Sequence, residues 1–169
     1  MDEVERIIEE IKRVAKLRFS IMLEPDDEEE EIPHPWLSIA LHAQDPLFWE
    51  YKDLILSDAD KFDIMEKVAE KYGWKRWQPA NEDEAMLYAC MHYYDCLSGV
   101  NPLSGVFVKD GKYVLFHEKF CMLENLHALI FDEKDFKELL EDHRKYLEED
   151  IRKGRAEYLA CVSCATLKR

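Results

Sequence analysis

Residues 82 to 97 read Glu82-Asp83-Glu84-Ala85-Met86-Leu87-Tyr88-Ala89-Cys90-Met91-His92-Tyr93-Tyr94-Asp95-Cys96-Leu97, and this stretch decides the fold. Asn81 stands in the N-cap position with Glu84 three residues on, the capping-box spacing that satisfies two otherwise orphaned N–H groups. Beyond its acidic opening the segment is apolar or aromatic on almost every side, relieved only by His92 and Asp95. A helix of that kind is stable only when other elements surround it. One edge (Ala85, Ala89, His92 and Cys96) is mostly small, so a neighbouring helix can approach closely there. Gly99 is placed to end the helix in a left-handed conformation. The stretch predicts a buried central helix.

Working outward, the helical period predominates. Residues 2 to 23 place Val4, Ile8, Ile11, Ala15 and Met22 on one stripe with Ile7 and Val14 beside it, behind an Asp2/Glu5 start signal. Pro25 closes that helix. Trp36 to Ala43 reads as a short apolar helix. Asp45-Pro46 then serves as N-cap and first helical residue of the next one, which carries Leu47, Tyr51, Leu54 and Ile55. A further helix runs from about Asp58 to Tyr72 with Gly73 as its stop. Residues 97 to 106 read as a loop. Val106 to Phe116 is a β-hairpin, because Asp110-Gly111 suits a type I′ turn and both arms are rich in β-formers. Its pairing puts Val106, Val108, Tyr113 and Leu115 on one face. Residues 118 to 130 return to helix, and a final long helix after Asp132 buries Phe136, Leu140, His143, Leu147 and Ile151. The fold class is mainly α: a single domain over residues 1–169, with about six or seven helices around the central one and one hairpin at 106–116.

Composition narrows the function classes. The chain of 169 residues has 37 acidic and 23 basic side chains, a net charge of −14 and a pI near 4.8. A protein that binds nucleic acid by neutralising phosphates draws its affinity from Lys and Arg, so direct nucleic-acid binding is disfavoured, as is an anionic membrane surface. The N-terminal Met-Asp-Glu-Val-Glu-Arg lacks the basic and apolar regions of a signal peptide. No apolar run is long enough to span a bilayer. The expectation is a cytoplasmic chain whose five cysteines are thiols. Abundant Glu and Lys with few glycines also resembles the composition of thermophilic proteins.

Three His/carboxylate pairs stand three residues apart: His42 with Asp45, His92 with Asp95, and Glu124 with His127. On a helix that spacing puts both groups on one face, as metal sites in bundles require. In so acidic a chain such pairs also arise by chance, and solvated or core histidines are the bland alternative. His92 is the sharper case, because Cys96 lies four residues on and shares its face. His92, Cys96, Glu124 and His127 together form a candidate metal or thiol site between the central helix and the predicted 118–130 helix. Its bland counterpart is a core His bonded to a carbonyl beside a Cys acting as a small hydrophobe. Cys161-Val-Ser-Cys164 has neither the βαβ setting of a redox motif nor a second Cys pair for zinc. Lys75-Arg76 between Trp74 and Trp77 is the one basic and aromatic spot, of a kind that stacks bases or anchors a helix end. No P-loop, G-x-G-x-x-G or G-x-S-x-G is present.

The most unusual feature is an uninterrupted acidic run, Asp26, Asp27, Glu28, Glu29, Glu30 and Glu31, between Pro25 and Pro33 and followed by Trp36. Like charges at this density repel and resist regular structure, which predicts a solvated loop over residues 25–35. It lacks the spaced ligands and Gly of an EF-hand. An acidic run beside an aromatic side chain combines long-range steering with a local anchor. The function expected is that of a non-catalytic accessory protein without a cofactor. It would bind another protein, and the basic surface of a nucleic-acid-handling protein is the partner class that fits. The alternative is a metal- or thiol-dependent enzyme using the His/Cys/Glu set.

Overall fold

The computed structural model describes residues 2–21, 35–97, 100–119 and 123–154, without the side chains of 35–38, 94–105 and 119. The fold is mainly helical with a small antiparallel β-sheet, and the chain divides into two compact units, Met1–Tyr72 and Gly73–Arg169. Among the described residues no helix is long and apolar enough to cross a membrane.

In the first unit, α1 spans Glu3–Ile21 and opens with the predicted reciprocal cap. The Glu5 amide donates to Asp2 Oδ1 (2.8 Å) and the Asp2 amide to Glu5 Oε2 (3.2 Å). Its buried stripe is Val4, Ile7, Ile11, Val14, Ala15 and Leu17; Ile8 is only half-buried. Next come α2 (Pro35–His42), α3 (Pro46–Glu50), α4 (Lys52–Ile55) and α5 (Lys61–Lys71). The predicted helix after Asp45 is thus two short ones. Asp45 caps α3 as expected, accepting from the Leu47 amide at 3.0 Å. Asp60 and Asp63 form a full capping box on α5, and Gly73, at φ +89°, follows its end. The unit buries Phe48, Ile55, Ile64, Met65, Val68 and Ala69 against the α1 stripe, with α1 lying along α5. Arg18 is also buried, and its guanidinium donates to the Ile55 carbonyl at the end of α4 and to the Ala59 carbonyl between α4 and α5.

In the second unit, residues 82–97 form α6, the central helix expected there, with Ala85 and Leu87 to Met91 buried. The Glu84 amide donates to Asn81 Oδ1 (2.8 Å), while the Glu84 carboxylate reaches back to the Ala80 amide (3.3 Å). The sheet has the order β1 (Lys75–Arg76), β2 (Val100–Lys109), β3 (Lys112–Lys119) and β4 (His127–Asp132), all antiparallel. Asp110 (φ +51°) and Gly111 (φ +75°) make the turn, as the type I′ geometry requires. Val106 lies opposite Leu115 and Val108 opposite Tyr113, so the predicted face is correct. Val106 and Leu115 pack with Tyr88, Met91, Phe136, Leu140 and Leu147, where α6, α7 (Glu133–Glu141) and α8 (Arg144–Arg152) bring their apolar sides together.

Three expectations are corrected. Residues 100–105 continue β2 instead of forming a loop. The final long helix is broken into α7 and α8 around Asp142-His143, and Ile151 is exposed. The predicted 118–130 helix does not exist. Glu118 and Lys119 complete β3, Leu123–Asn125 makes a 3-10 turn, and His127–Asp132 pairs with β3 from His117↔His127 to Lys112↔Asp132. The hairpin's second strand presents an open edge to a segment rich in Leu, Ile and Phe, and pairing with it overrides a helical pattern that was only local. The acidic run, Gly99, Cys121, Cys161 and Cys164 lie outside the described residues.

Candidate functional site

The candidate partner-binding residues fall mostly outside the described structure. Asp26 to Glu31 are not described, and of Trp36 only the backbone is, in the first turn of α2. Among the described residues of the first unit the exposed aromatics are Phe19, in α1, and Trp49, in α3, and Trp49 is the more exposed. It is 61% exposed yet held in place. Its indole N–H donates to the Ala43 carbonyl at 2.7 Å, its ring meets Phe48 edge-on at 5.3 Å, and Lys52 lies over it at 5.7 Å. An open groove runs beside it, lined among others by Glu50, Lys52, Asp53, Leu54 and Lys67. Trp49 lies between the buried positions Leu47, Phe48 and Tyr51, so its outward direction follows from the helical period.

Next to it, a charged cluster ties α1, α3 and α5 together. Glu10 is buried in the apolar stripe of α1, where Lys71 bonds it while also pairing with Glu50 at 2.8 Å. Burial works against the Lys71 ammonium, but the bonds to Glu10 and Glu50 outweigh it and raise its pKa. Burial, followed by the Glu10 charge, likewise keeps the Tyr51 hydroxyl protonated well above its usual range. Each ion thus has a partner that accounts for it.

In the second unit the set His92, Cys96, Glu124 and His127 changes character. His92 is half-buried on α6 with its ring 6.4 Å from that of Tyr88. The Cys96 side chain is not described. Glu124 is exposed in the 3-10 turn and His127 opens β4, so the two do not share a helical face. Among the described residues no three His, Cys, Asp or Glu side chains gather as a metal site. What the sheet places beside His127 is His117, its cross-strand partner, with ring centroids 5.3 Å apart and planes at 21°. His117 is only 3% exposed, and neither ring nitrogen has a hydrogen-bond partner among the described residues. Burial, then the neighbouring His127, pushes its pKa down to about 4, so the ring is neutral at pH 7. Sequence spacing missed His117 because the pairing depends on β4, where a helix was expected.

The remaining candidates have structural roles. Asp45 accepts from the Leu47 amide and from Arg13 (2.9 Å), and these bonds, with a lesser contribution from the nearby His42, hold its carboxyl below the usual range. His143 Nδ1 lies 2.9 Å from the Leu139 carbonyl. Trp74 is buried, and Trp77 packs edge-on against Phe136 (5.0 Å) and Tyr88 (5.5 Å), so the aromatics flanking Lys75-Arg76 anchor the core. Comparison with protein-family models, with curated proteins and with solved structures finds no match to this chain.

Proposed function

We propose that this chain is a non-catalytic accessory protein that binds a basic protein partner through its first unit. The observation that carries the reading is where the charge sits. Residues 1–72 hold 20 acidic and 9 basic side chains, a balance of −11, whereas residues 73–169 hold 17 and 14, a balance of −3. An asymmetry of that size exceeds what solubility requires, since charge for solubility can be spread over the whole surface. It gives the first unit a negative field that raises the encounter rate with a cationic surface.

Steering alone gives rate without a lasting contact. Trp49 supports the second half of the reading, because an exposed aromatic already fixed by a hydrogen bond loses little freedom when a partner covers it. A nucleic-acid-handling protein is one source of such a basic surface, and this chain would then compete with the nucleic acid for it.

The test is affinity capture from the source organism, comparing the wild type with a variant carrying Ser at all six positions from Asp26 to Glu31. The reading expects a basic protein retained by the wild type and depleted from the variant, with both proteins folded by circular dichroism. Retention of nothing at low salt, or of a protein indifferent to the replacement, would sink it.

A further inference from the structure

We propose that β4 is the contact strand of a homodimer, in which two copies of this chain pair antiparallel along its open edge. The first support is the difference between the two edges of the sheet. Edge strands expose unpaired N–H and C=O groups, and proteins blunt them with short length, charged side chains, Pro or a bulge. The β1 edge is blunted in this way, being only two residues long, Lys75 and Arg76. The β4 edge is not. His127-Ala128-Leu129-Ile130-Phe131-Asp132 contains no Lys, Arg, Pro or Gly, and it follows β3 over six consecutive pairs without a bulge. Leu129 is 42% exposed and Ile130 48%, and strand alternation turns them to opposite faces. Among the described residues no strand pairs with the outer side of β4.

The second support is the direction of the free backbone groups. The two-residue turn makes Lys109↔Lys112 a hydrogen-bonded pair, and such pairs alternate with non-bonded ones along the ladder. Tyr113, Leu115 and His117 therefore bond β4 through Phe131, Leu129 and His127. That alternation turns the N–H and C=O of Ala128 and Ile130 outward, ready to continue the sheet.

The third support selects the occupant. A two-fold axis through Ile130 sets it against Ile130 of the second copy, with both bonds exchanged, and sets Leu129 against that copy's Phe131. Ala128 then faces Asp132. The charges agree with this register. An apolar centre lies between His127 at one end and Asp132-Glu133 at the other. Antiparallel pairing keeps the two acidic ends apart and brings each His127 opposite Glu133 of the other copy. Parallel pairing would set acid on acid, which is destabilising. Repulsion between copies is also least in this unit, whose 17 acidic and 14 basic side chains leave a balance of −3 against −11 for the first. The surface lies in the second unit and does not depend on the charge-based reading.

Sedimentation velocity of the full chain, from micromolar to millimolar concentration, reads the oligomeric state, and amide hydrogen exchange reads the edge. The proposal expects a dimer whose formation protects the Ala128 and Ile130 amides, while those of Leu129 and Phe131, already bonded to β3, are protected throughout. Ile130→Lys should weaken the dimer by about tenfold or more with the circular dichroism unchanged. Ile151→Lys, which removes another exposed apolar side chain of the same unit, should leave it intact. The exchange pattern of the wild type needs no variant and so guards against misfolding. A monomer at every concentration would overturn the proposal, as would a dimer whose Ala128 and Ile130 amides exchange freely. Dimerisation of Ile130→Lys within about twofold of the wild type, or loss of the dimer in Ile151→Lys, would place the contact elsewhere and overturn it too. Protection of those two amides in a monomer would assign the edge to another segment of this chain, and protection only on adding a different extended chain would assign it to that partner. Either result excludes the homodimer.

Discussion

Lys137 of α7 bonds Glu84 of α6 at 2.7 Å, although Glu133, four residues before it, offers a partner within its own helix. The same Glu84 carboxylate accepts from the Ala80 amide at the start of α6. One side chain therefore completes the cap of the central helix and fastens a second helix to it. Glu84→Ala should cost about 1–2 kcal/mol, the loss of a cap together with a half-buried ion pair. Lys137→Ala should cost less, since the cap survives. A double-mutant cycle by urea denaturation would read the coupling directly, and equal costs for the two single variants would contradict the shared role.

Lys71 has a heavier task. Removing it leaves Glu10 buried beside Tyr51 without its cation. For a fully buried pair such a loss costs about 3–5 kcal/mol, and the 36% exposure of Lys71 lowers the expectation to about 2–3 kcal/mol. Lys71→Met should destabilise the protein in thermal melts, and adding Glu10→Gln should recover much of the loss. Failure of the second change to recover stability would show that Glu10 does not depend on Lys71.

Cys90 is buried on α6, where its thiol donates to the His143 carbonyl at 3.7 Å. Burial, with a lesser push from Asp150, raises its pKa to about 11. The folded chain thus holds a proton that the unfolded chain releases near pH 9. Stability from Cys90 is complete below about pH 9 and is lost as pH rises through about 11, by on the order of 2–3 kcal/mol. Native protein at pH 8 should be alkylated at Cys90 only at the rate of unfolding, as followed by mass spectrometry. Rapid labelling of Cys90 under native conditions would contradict its burial as a thiol.

The turn at Asp110-Gly111 offers a test of backbone strain alone. A Cβ added at Gly111 meets nothing within 4 Å, but φ is +75°. Gly111→Ala should cost about 1–2 kcal/mol through conformation, and Gly111→Asn less, because Asn tolerates the left-handed region.

Much of this fold was legible in the chain because local signals agreed with the global outcome. The Asp2/Glu5, Asp45-Pro46 and Asp110-Gly111 signals all gave the geometry they predict. The all-round apolar character of residues 82–97 correctly placed α6 inside. The failures came where a long-range partner decided. Residues 127–132 became a strand because β3 offered them an edge, and Lys137 left its own helix because Glu84 lay opposite. The same non-local pairing hid His117. Spacing along one helix found His127, but only the sheet register shows which histidine stands beside it. Trp49 was overlooked for a different reason: an outward aromatic in an apolar segment looks like core until the helix phase is known.

The central claim, that the acidic unit carries the binding function, is tested most directly by the salt dependence of affinity for the captured basic partner. Screening shortens the Debye length from about 10 Å at 0.1 M salt to about 3 Å at 1 M. The dissociation constant of the wild type should rise steeply over that range, and replacing Asp26 to Glu31 by Ser should flatten the slope. Trp49→Ala should weaken binding by about tenfold or more at every salt concentration while leaving the slope unchanged. An affinity that does not respond to salt, or a slope the Ser replacement leaves unaltered, would contradict the account.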